Sequence, residues 1–320
     1  IKKICPDAWI INYTNPMTIC TRILYRIFPE AKAFGCCHEV FHIQKLLAEM
    51  VKEMICDKNV TRQDISINVL GLNHCTWINR ASYKGLDLFP YFEEFTEKYM
   101  EIGYNKHLEK KWPENPFGCN TLVVFDLYRK YGLIAAAGDR HLIEFFPEIY
   151  MTDARTINSW NVSITKVEYR IWLSETHKAY RQNVINGKEH LKIKPSGEEG
   201  VRQIKALVGM GDFVTNINFP NQGQMDNITS GSVVETNALL KRDSIQPVIS
   251  GSLPKKINDR LMIYVNQQES LIDAAFSKDI NMAFEAFKNG PMISINDINT
   301  KKLFNEMVEN TKEYLTYWKV

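Results

Sequence analysis

Residues 8–40 read AWIINYTNPMTICTRILYRIFPEAKAFGCCHEV, and the fold turns on how this stretch is parsed. Ala8 to Ile11 is a short apolar run of the kind that forms a buried strand, and the polar cluster Asn12, Tyr13, Thr14, Asn15 ends it. Pro16 has no N–H to leave unpaired, so it suits a first helical position with Asn15 as the cap. A helix is expected from about Met17 to Ile27, stopped by Pro29, and a second short extended piece at Ala33 to Gly35. Strand, helix and strand in quick succession are the entry to an α/β sheet.

Downstream, apolar residues at Val40, Ile43, Leu46, Leu47, Met50, Val51 and Met54 draw one helical face over 40–55. Ile65 to Leu70 alternates as a strand does, Gly71 and Asn73 should break it, and Thr76 to Tyr83 can pair beside it. Beyond Tyr83 the spacing is mainly helical, over 91–102, 121–131, 165–185, 197–208 and a long series at 259–288, while 211–237 reads as strands joined by turns. The expectation is an α/β entry followed by a mixed, mainly helical α+β body. No internal repeat or Gly/Ser-rich linker is visible.

The 39 Lys+Arg balance 37 Asp+Glu, so bulk charge points to no nucleic-acid partner. The longest apolar runs, such as LIAAAG from Leu133, fall far short of the roughly 20 residues that a membrane-spanning helix needs. The seven cysteines show neither paired metal-ribbon spacing nor a secreted disulfide framework, which fits free thiols and a cytoplasmic location. The chain opens at Ile1 directly into CPDAWIINYTNP, which reads as the middle of a domain, so an upstream segment is expected.

Four clusters could carry chemistry. In GCCHEV, residues 35–40, a thiol at a helix start faces unpaired N–H groups that favour the thiolate, although small buried cysteines are the commoner case. In GLNHCTW, residues 71–77, His74 follows a strand end, and imidazole is a frequent partner for thiolate on a borderline metal; isolated histidines are more often surface or core groups. In TNPMT, residues 14–18, Asn15 either reaches the ligand crevice of an open sheet or simply caps a helix. In AAAGDRHLIEFFP, residues 135–147, Asp139, Arg140, His141 and Glu144 form either a carboxylate clamp or a solvated ion-pair network.

Taken in order, TNPMTICTRIL, AFGCCHEVFHIQ, GLNHCTWI, GDRHLIEFFP and VVETNALLKRDSIQPVISGSLP resemble the family 4 glycoside hydrolases, the NAD- and manganese-dependent glycosidases, and within them the α-galacturonidase branch. The resemblance spans nearly the whole chain, and it implies residues 1–36 as the tail of a Rossmann-like dinucleotide domain and 37–320 as the α+β catalytic and metal-binding domain. It implies Cys37 and His74 as the two protein ligands of a divalent metal, usually Mn²⁺, and Asn15 as a contact to the substrate beside the nicotinamide. His38 falls where other branches carry an acidic or amide residue beside the metal cysteine. Arg140 and His141 fall in the substrate-pocket segment, the arginine as partner for a uronate carboxylate. The implied reaction oxidises sugar C3 with NAD⁺, removes the C2 proton with metal assistance, and expels the aglycone from C1, a route outside the usual two-carboxylate scheme.

The general base is left unassigned between Asp139 and His141, with Tyr128 and Tyr131 nearby in what reads as a packed helix. The Gly-rich dinucleotide fingerprint is absent, so this stretch alone should bind NAD poorly. Other readings are an α-galactosidase or α-glucosidase of the same family, an NAD-dependent 2-hydroxy-acid dehydrogenase, and a non-catalytic truncated remnant. The partners implied are a small-molecule sugar and further copies of the chain in a homo-oligomer, with the C-terminal helices as one possible interface.

Overall fold

The structure is a computed structural model that describes residues 1–105, 116–191, 193 and 197–318. β1 (Ile10–Asn12) and β2 (Ala33–Gly35) are parallel, with α1 (Met17–Ile27) crossing between them. Pro16 itself occupies the cap of α1, and Asn15 Oδ1 accepts the Met17 N–H at 3.3 Å from one position further out. α2 (Glu39–Met54) follows β2 after a three-residue turn and buries the expected face, from Val40 through Val51.

β3 (Ile65–Leu72), β4 (Cys75–Tyr83) and β5 (Leu86–Asp87) form an antiparallel sheet. β3 runs through Gly71 rather than ending there, because a residue without Cβ can hold φ +145° against the backbone of Cys75 and Thr76. After α3 (Phe89–Tyr99) and α4 (Leu122–Tyr131), β6 (Ile134–Ala135) joins the free side of β4. The short α5 (Asp139–Phe145), α6 (Pro147–Tyr150) and α7 (Ala154–Ser159) come next, then the long α8 (Val167–Ile185) and α9 (Gly200–Leu207).

β7 (Phe213–Pro220), β8 (Val233–Lys241) and β9 (Ser244–Pro247) complete a five-stranded sheet of order β1-β2-β7-β8-β9, in which Gly35 pairs with Asn218. Residues 1–36 are thus hydrogen-bonded into the same sheet as strands two hundred residues later. The C-terminal helical series is two helices, α10 (Lys255–Ser277) and α11 (Ile280–Lys288), with α12 (Asp297–Thr311) after them. The break comes where Lys278 turns left-handed and Asp279 caps the next helix through the N–H groups of Asn281 and Met282.

The main core packs the apolar face of α2 and the α4 residues Val123, Val124 and Phe125 on Val69, Leu70, Trp77 and Ile78 of β3 and β4. A smaller core under the five-stranded sheet holds Phe34, Cys36, Leu207, Ile217 and Leu240. Between the two, β8 lies against β3 and Asn237 donates to the Ile67 carbonyl at 2.7 Å. The turns after β1 and β2, the β3–β4 hairpin tip and the start of α5 gather in that region.

Candidate active site

The β2–α2 turn divides its two cysteines. Cys36 points to the smaller core, where Gln203 Nε2 approaches its sulfur at 3.2 Å and burial lifts the thiol to about 11. Cys37 points the other way, with the Glu39 backbone N–H and the Asn73 side-chain amide near its sulfur. Burial raises this thiol well above its ordinary range, Glu235 adds to the rise, and the two donors only partly offset it.

Asn73 and His74 make the two-residue tip of the β3–β4 hairpin, with His74 in the left-handed region at φ 66°. Few residues other than glycine adopt that conformation without a compensating role. Asn73 Nδ2 donates to Glu235 Oε2 at 3.1 Å, which places this amide between the Cys37 sulfur and the Glu235 carboxyl. Glu235 is fully buried, takes a second donor from Asn216 at 2.6 Å, and is pushed by burial up to about 7.

His74 stacks on His141, the ring centroids 3.8 Å apart. Burial, aided by the charge of His141, pushes His74 down to about 4, which keeps it neutral near pH 7 and able to offer a nitrogen lone pair. His141 Nε2 faces Glu39 Oε1 at 3.5 Å, and Glu39 Oε2 accepts the Gly138 N–H at 2.9 Å. Burial acts to raise the Glu39 carboxyl, but the hydrogen bond and charge of His141, the Gly138 N–H and His42 together hold it far below the usual carboxylate range.

Glu39 and His141 border a cavity of about 250 Å³, of the order of one sugar ring, whose walls also include His38, His42, Phe117 and Arg140. His38 is half-exposed at the rim, with Nδ1 3.1 Å from Glu198 Oε1. Arg140 donates to Thr165 Oγ1 at 2.9 Å, and burial disfavours its charge. Asp139 also lines the cavity but is wholly buried; its Oδ1 accepts the Val124 N–H at the start of α4, while Oδ2 has no partner. Burial lifts its carboxyl to about 7 against the pull of the α4 N–H groups. Asn15 is exposed at the β1–α1 turn, on the same sheet edge as the Cys37 turn, since Asn12 and Gly35 are register partners.

The structure thus joins the hairpin tip to Glu235 through Asn73, near Cys37, and joins His74 to the cavity wall through His141. Glu39, Asn73 and Glu235 are additional members to which sequence reading gave no role. The signal for Glu235 was there, a lone carboxylate in the apolar strand VVETNALL. Tyr128 and Tyr131 pack in α4 against Phe92 and Trp77.

One soft sulfur and one neutral imidazole nitrogen suit a borderline divalent cation, whose charge would turn the raised Cys37 thiol into thiolate. A dinucleotide's phosphates find less: the β1–α1 turn, NYTNP, has no glycine, and a single one, Gly35, precedes the β2–α2 turn.

Residues 69–293 match the family 4 glycosyl hydrolase C-terminal domain, and residues 1–53 match the family 4 glycosyl hydrolase. The chain belongs to family 4 of the glycosyl hydrolases. Membership makes it a glycosidase. An α-galacturonidase of Thermoanaerobacterium saccharolyticum is 49% identical across 100% of this chain and 69% of its own length. One from Bacillus subtilis is 44% identical, over 97% of this chain and 68% of that protein. The crystal structure of lplD from Bacillus subtilis superposes with a TM-score of 0.91 at 45% identity, over 96% of this chain and 70% of that one. A 6-phospho-α-glucosidase from gut microorganisms, solved with NAD and Mn²⁺, shares the fold at TM-score 0.76 and 18% identity, covering 98% of this chain and 68% of that one. Among the described residues no helix is long and apolar enough to cross a membrane.

Proposed function

We propose that this family 4 enzyme hydrolyses α-galacturonides with NAD and a divalent cation such as Mn²⁺. The reading is carried by α-galacturonidases of four species at 43% to 49% identity over nearly the whole chain. Cys37 and His74 would hold the cation, and Asn15 would contact the sugar near the nicotinamide. When bound, the cation supplies Lewis acidity and NAD a reversible hydride acceptor. Residues 1–36 act as the end of the dinucleotide-binding unit and 37–320 as the catalytic body.

His141 carries the C2 proton. Its ring is partly accessible at the cavity wall, and Glu39 fixes Nε2, which leaves Nδ1 free to accept a proton. His38, at the rim, sits over the departing aglycone. A second reading gives the base role to Asp139, favoured by its unpartnered Oδ2 and a carboxyl lifted to about 7. Arg140 faces the sugar carboxylate.

Two assembly properties belong to the same reading. The 19-residue α8 buries none of its residues and exposes Val167, Ile171 and Trp172, which supports self-association through that face or the C-terminal helices. All seven cysteines are free, which supports a reducing, cytoplasmic setting.

The test is metal analysis and turnover together. With NAD⁺, Mn²⁺ and a reductant, nitrophenyl α-galacturonide should be cleaved in preference to the α-galactoside and α-glucoside. C37S and H74N should lose both the bound cation and turnover. Cleavage insensitive to chelator, or stoichiometric consumption of NAD⁺, would refute the proposal.

A further inference from the structure

Residues 38–42 read HEVFH, which sets two histidines four positions apart with a glutamate after the first. His38 is the cap of α2 and Glu39 its first residue, so His38 and His42 stand one turn apart on the same face. Their rings meet edge-on, with centroids 5.5 Å apart. Among the described residues, His38, Glu39 and His42 make the one trio of His, Cys, Asp or Glu side chains whose ligand atoms converge, each within 4.8 Å of the others. Two imidazoles of one helix at this spacing can grip a single zinc ion. All three residues border the cavity of about 250 Å³, so an ion held by them has an open side toward the substrate space.

The donor atoms are close to a coordination shell already. His38 Nδ1 stands 3.1 Å from Glu198 Oε1, and a carboxylate on the second nitrogen is the usual way a metal-bound imidazole is oriented. That leaves His38 Nε2 to offer its lone pair, 3.7 Å from Glu39 Oε1. Bonds of ~2.0–2.1 Å in a tetrahedral shell set neighbouring ligands roughly 3.3 Å apart, so only a small closing movement is needed. Glu39 Oε2 accepts the Gly138 N–H at 2.9 Å, which leaves Oε1 facing His38 and, at 3.5 Å, His141. Burial disfavours the cationic form of His42, against the pull of Glu39, so its ring also has a lone pair to give.

We propose that His38, Glu39 and His42 form a second cation site of the zinc type, separate from the Cys37 and His74 pair, and that filling it inhibits the enzyme. Two imidazole nitrogens and one carboxylate oxygen bind Zn²⁺ in preference to Mn²⁺ by the general order of divalent affinities. Glu39 Oε1 is the shared atom: an ion that takes it withdraws it from His141, and the same ion fixes His38 at the rim. The inhibitory part rests on the roles that the α-galacturonide reading gives His141 and His38, and the binding part does not.

The experiment begins with C37S, which removes the sulfur ligand of the other site, and follows Zn²⁺ by calorimetry and metal analysis. C37S should still take up one Zn²⁺ per chain. C37S/H42Q should bind it more weakly by over ~100-fold, beyond what loss of an orienting partner costs, and so should C37S/H38Q, whose change at the exposed rim leaves the fold undisturbed. No stoichiometric Zn²⁺ in folded C37S, or equal binding by C37S and both double variants, would overturn the site. The second arm adds Zn²⁺ to wild type and to H42Q during turnover of nitrophenyl α-galacturonide with NAD⁺ and saturating Mn²⁺. Inhibition of H42Q should need ~10- to 100-fold more Zn²⁺. Equal inhibition of the two would trace the effect to exchange at Cys37 and His74 and overturn the inhibitory role. A wild type inactive on the galacturonide would refute the α-galacturonide reading, while Zn²⁺ binding by the C37S series would still decide the site.

Discussion

The imidazole rings of His74 and His141 are stacked, 3.8 Å between centroids and 25° from parallel. One ring stands on a hairpin tip and the other on α5, so this contact couples the hairpin to the cavity wall. In the proposed reading it separates two jobs that adjacent imidazoles can do: the buried, neutral ring would serve as a ligand and the ring held by a carboxylate as a proton carrier.

H141F tests that division. Phenylalanine keeps a flat ring against His74 but takes no proton. The expected outcome is retained Mn²⁺ binding with kcat lowered ~10²- to 10⁴-fold, the usual worth of a positioned acid or base. Solvent exchange of the sugar C2 proton should fall with it. If D139N abolishes that exchange and H141F does not, the base is Asp139.

Asn73 supplies the next prediction. Its amide donates to Glu235 and lies beside the Cys37 sulfur, so N73L should remove a polar neighbour of the sulfur and strip a buried carboxyl of one donor. Groups that orient a metal ligand typically contribute 10- to 100-fold to affinity, so Mn²⁺ binding by calorimetry should weaken by about that factor. The melting curve should show a loss of ~1–3 kcal/mol for the unsatisfied buried group.

Much of the scaffold was legible from residue pattern alone. The α1 helix falls where Pro16 and Pro29 bracket it, and α2 buries the face that its apolar spacing draws. The cluster around Glu39, Asn73 and Glu235 was not legible, because its members come from a helix start, a hairpin tip and a strand more than 150 residues away, and only tertiary packing brings them together. Asp139 illustrates the same limit: four residues crowded in sequence look alike, yet one caps α4, one faces Glu39 and one lies against Phe117. Local spacing records periodicity well and records convergence of distant segments hardly at all.

Glu235 and Asp139 should also mark the pH dependence of stability. Burial raises both folded carboxyls to about 7, above the ordinary values near ~4. Each contributes stability that is fully present below its unfolded value and is lost as pH rises through the folded one. Glu39 acts oppositely, since its folded carboxyl is depressed: its contribution is present above the ordinary value and lost as pH falls toward the depressed one. Comparing E235Q with wild type isolates one group. From about pH 4 to about pH 8, wild type should lose stability relative to E235Q, as followed by thermal melts at each pH. A difference that stays flat across that window would mean Glu235 is not protonated in the fold.

The last prediction concerns Gly71, on which the position of His74 depends. Its φ is +145°, and a Cβ built there would stand 2.5 Å from the Cys75 carbonyl oxygen and 2.9 Å from the Thr76 Cα, both backbone atoms of the facing strand that cannot swing aside. Gly85 offers a control: its φ is +82°, also left of the helical range, but an added Cβ meets nothing within 4 Å. G85A should therefore cost only the conformational penalty of a left-handed alanine, ~1–2 kcal/mol. G71A should cost that and more, because β3 and β4 must also separate where Gly71 pairs with Thr76. Separation at that register displaces Asn73 and His74, the next residues of the turn, so Mn²⁺ affinity should fall in G71A and stay near wild type in G85A. Equal melting temperatures and equal metal affinities for the two variants would show that the hairpin tip does not depend on this close approach.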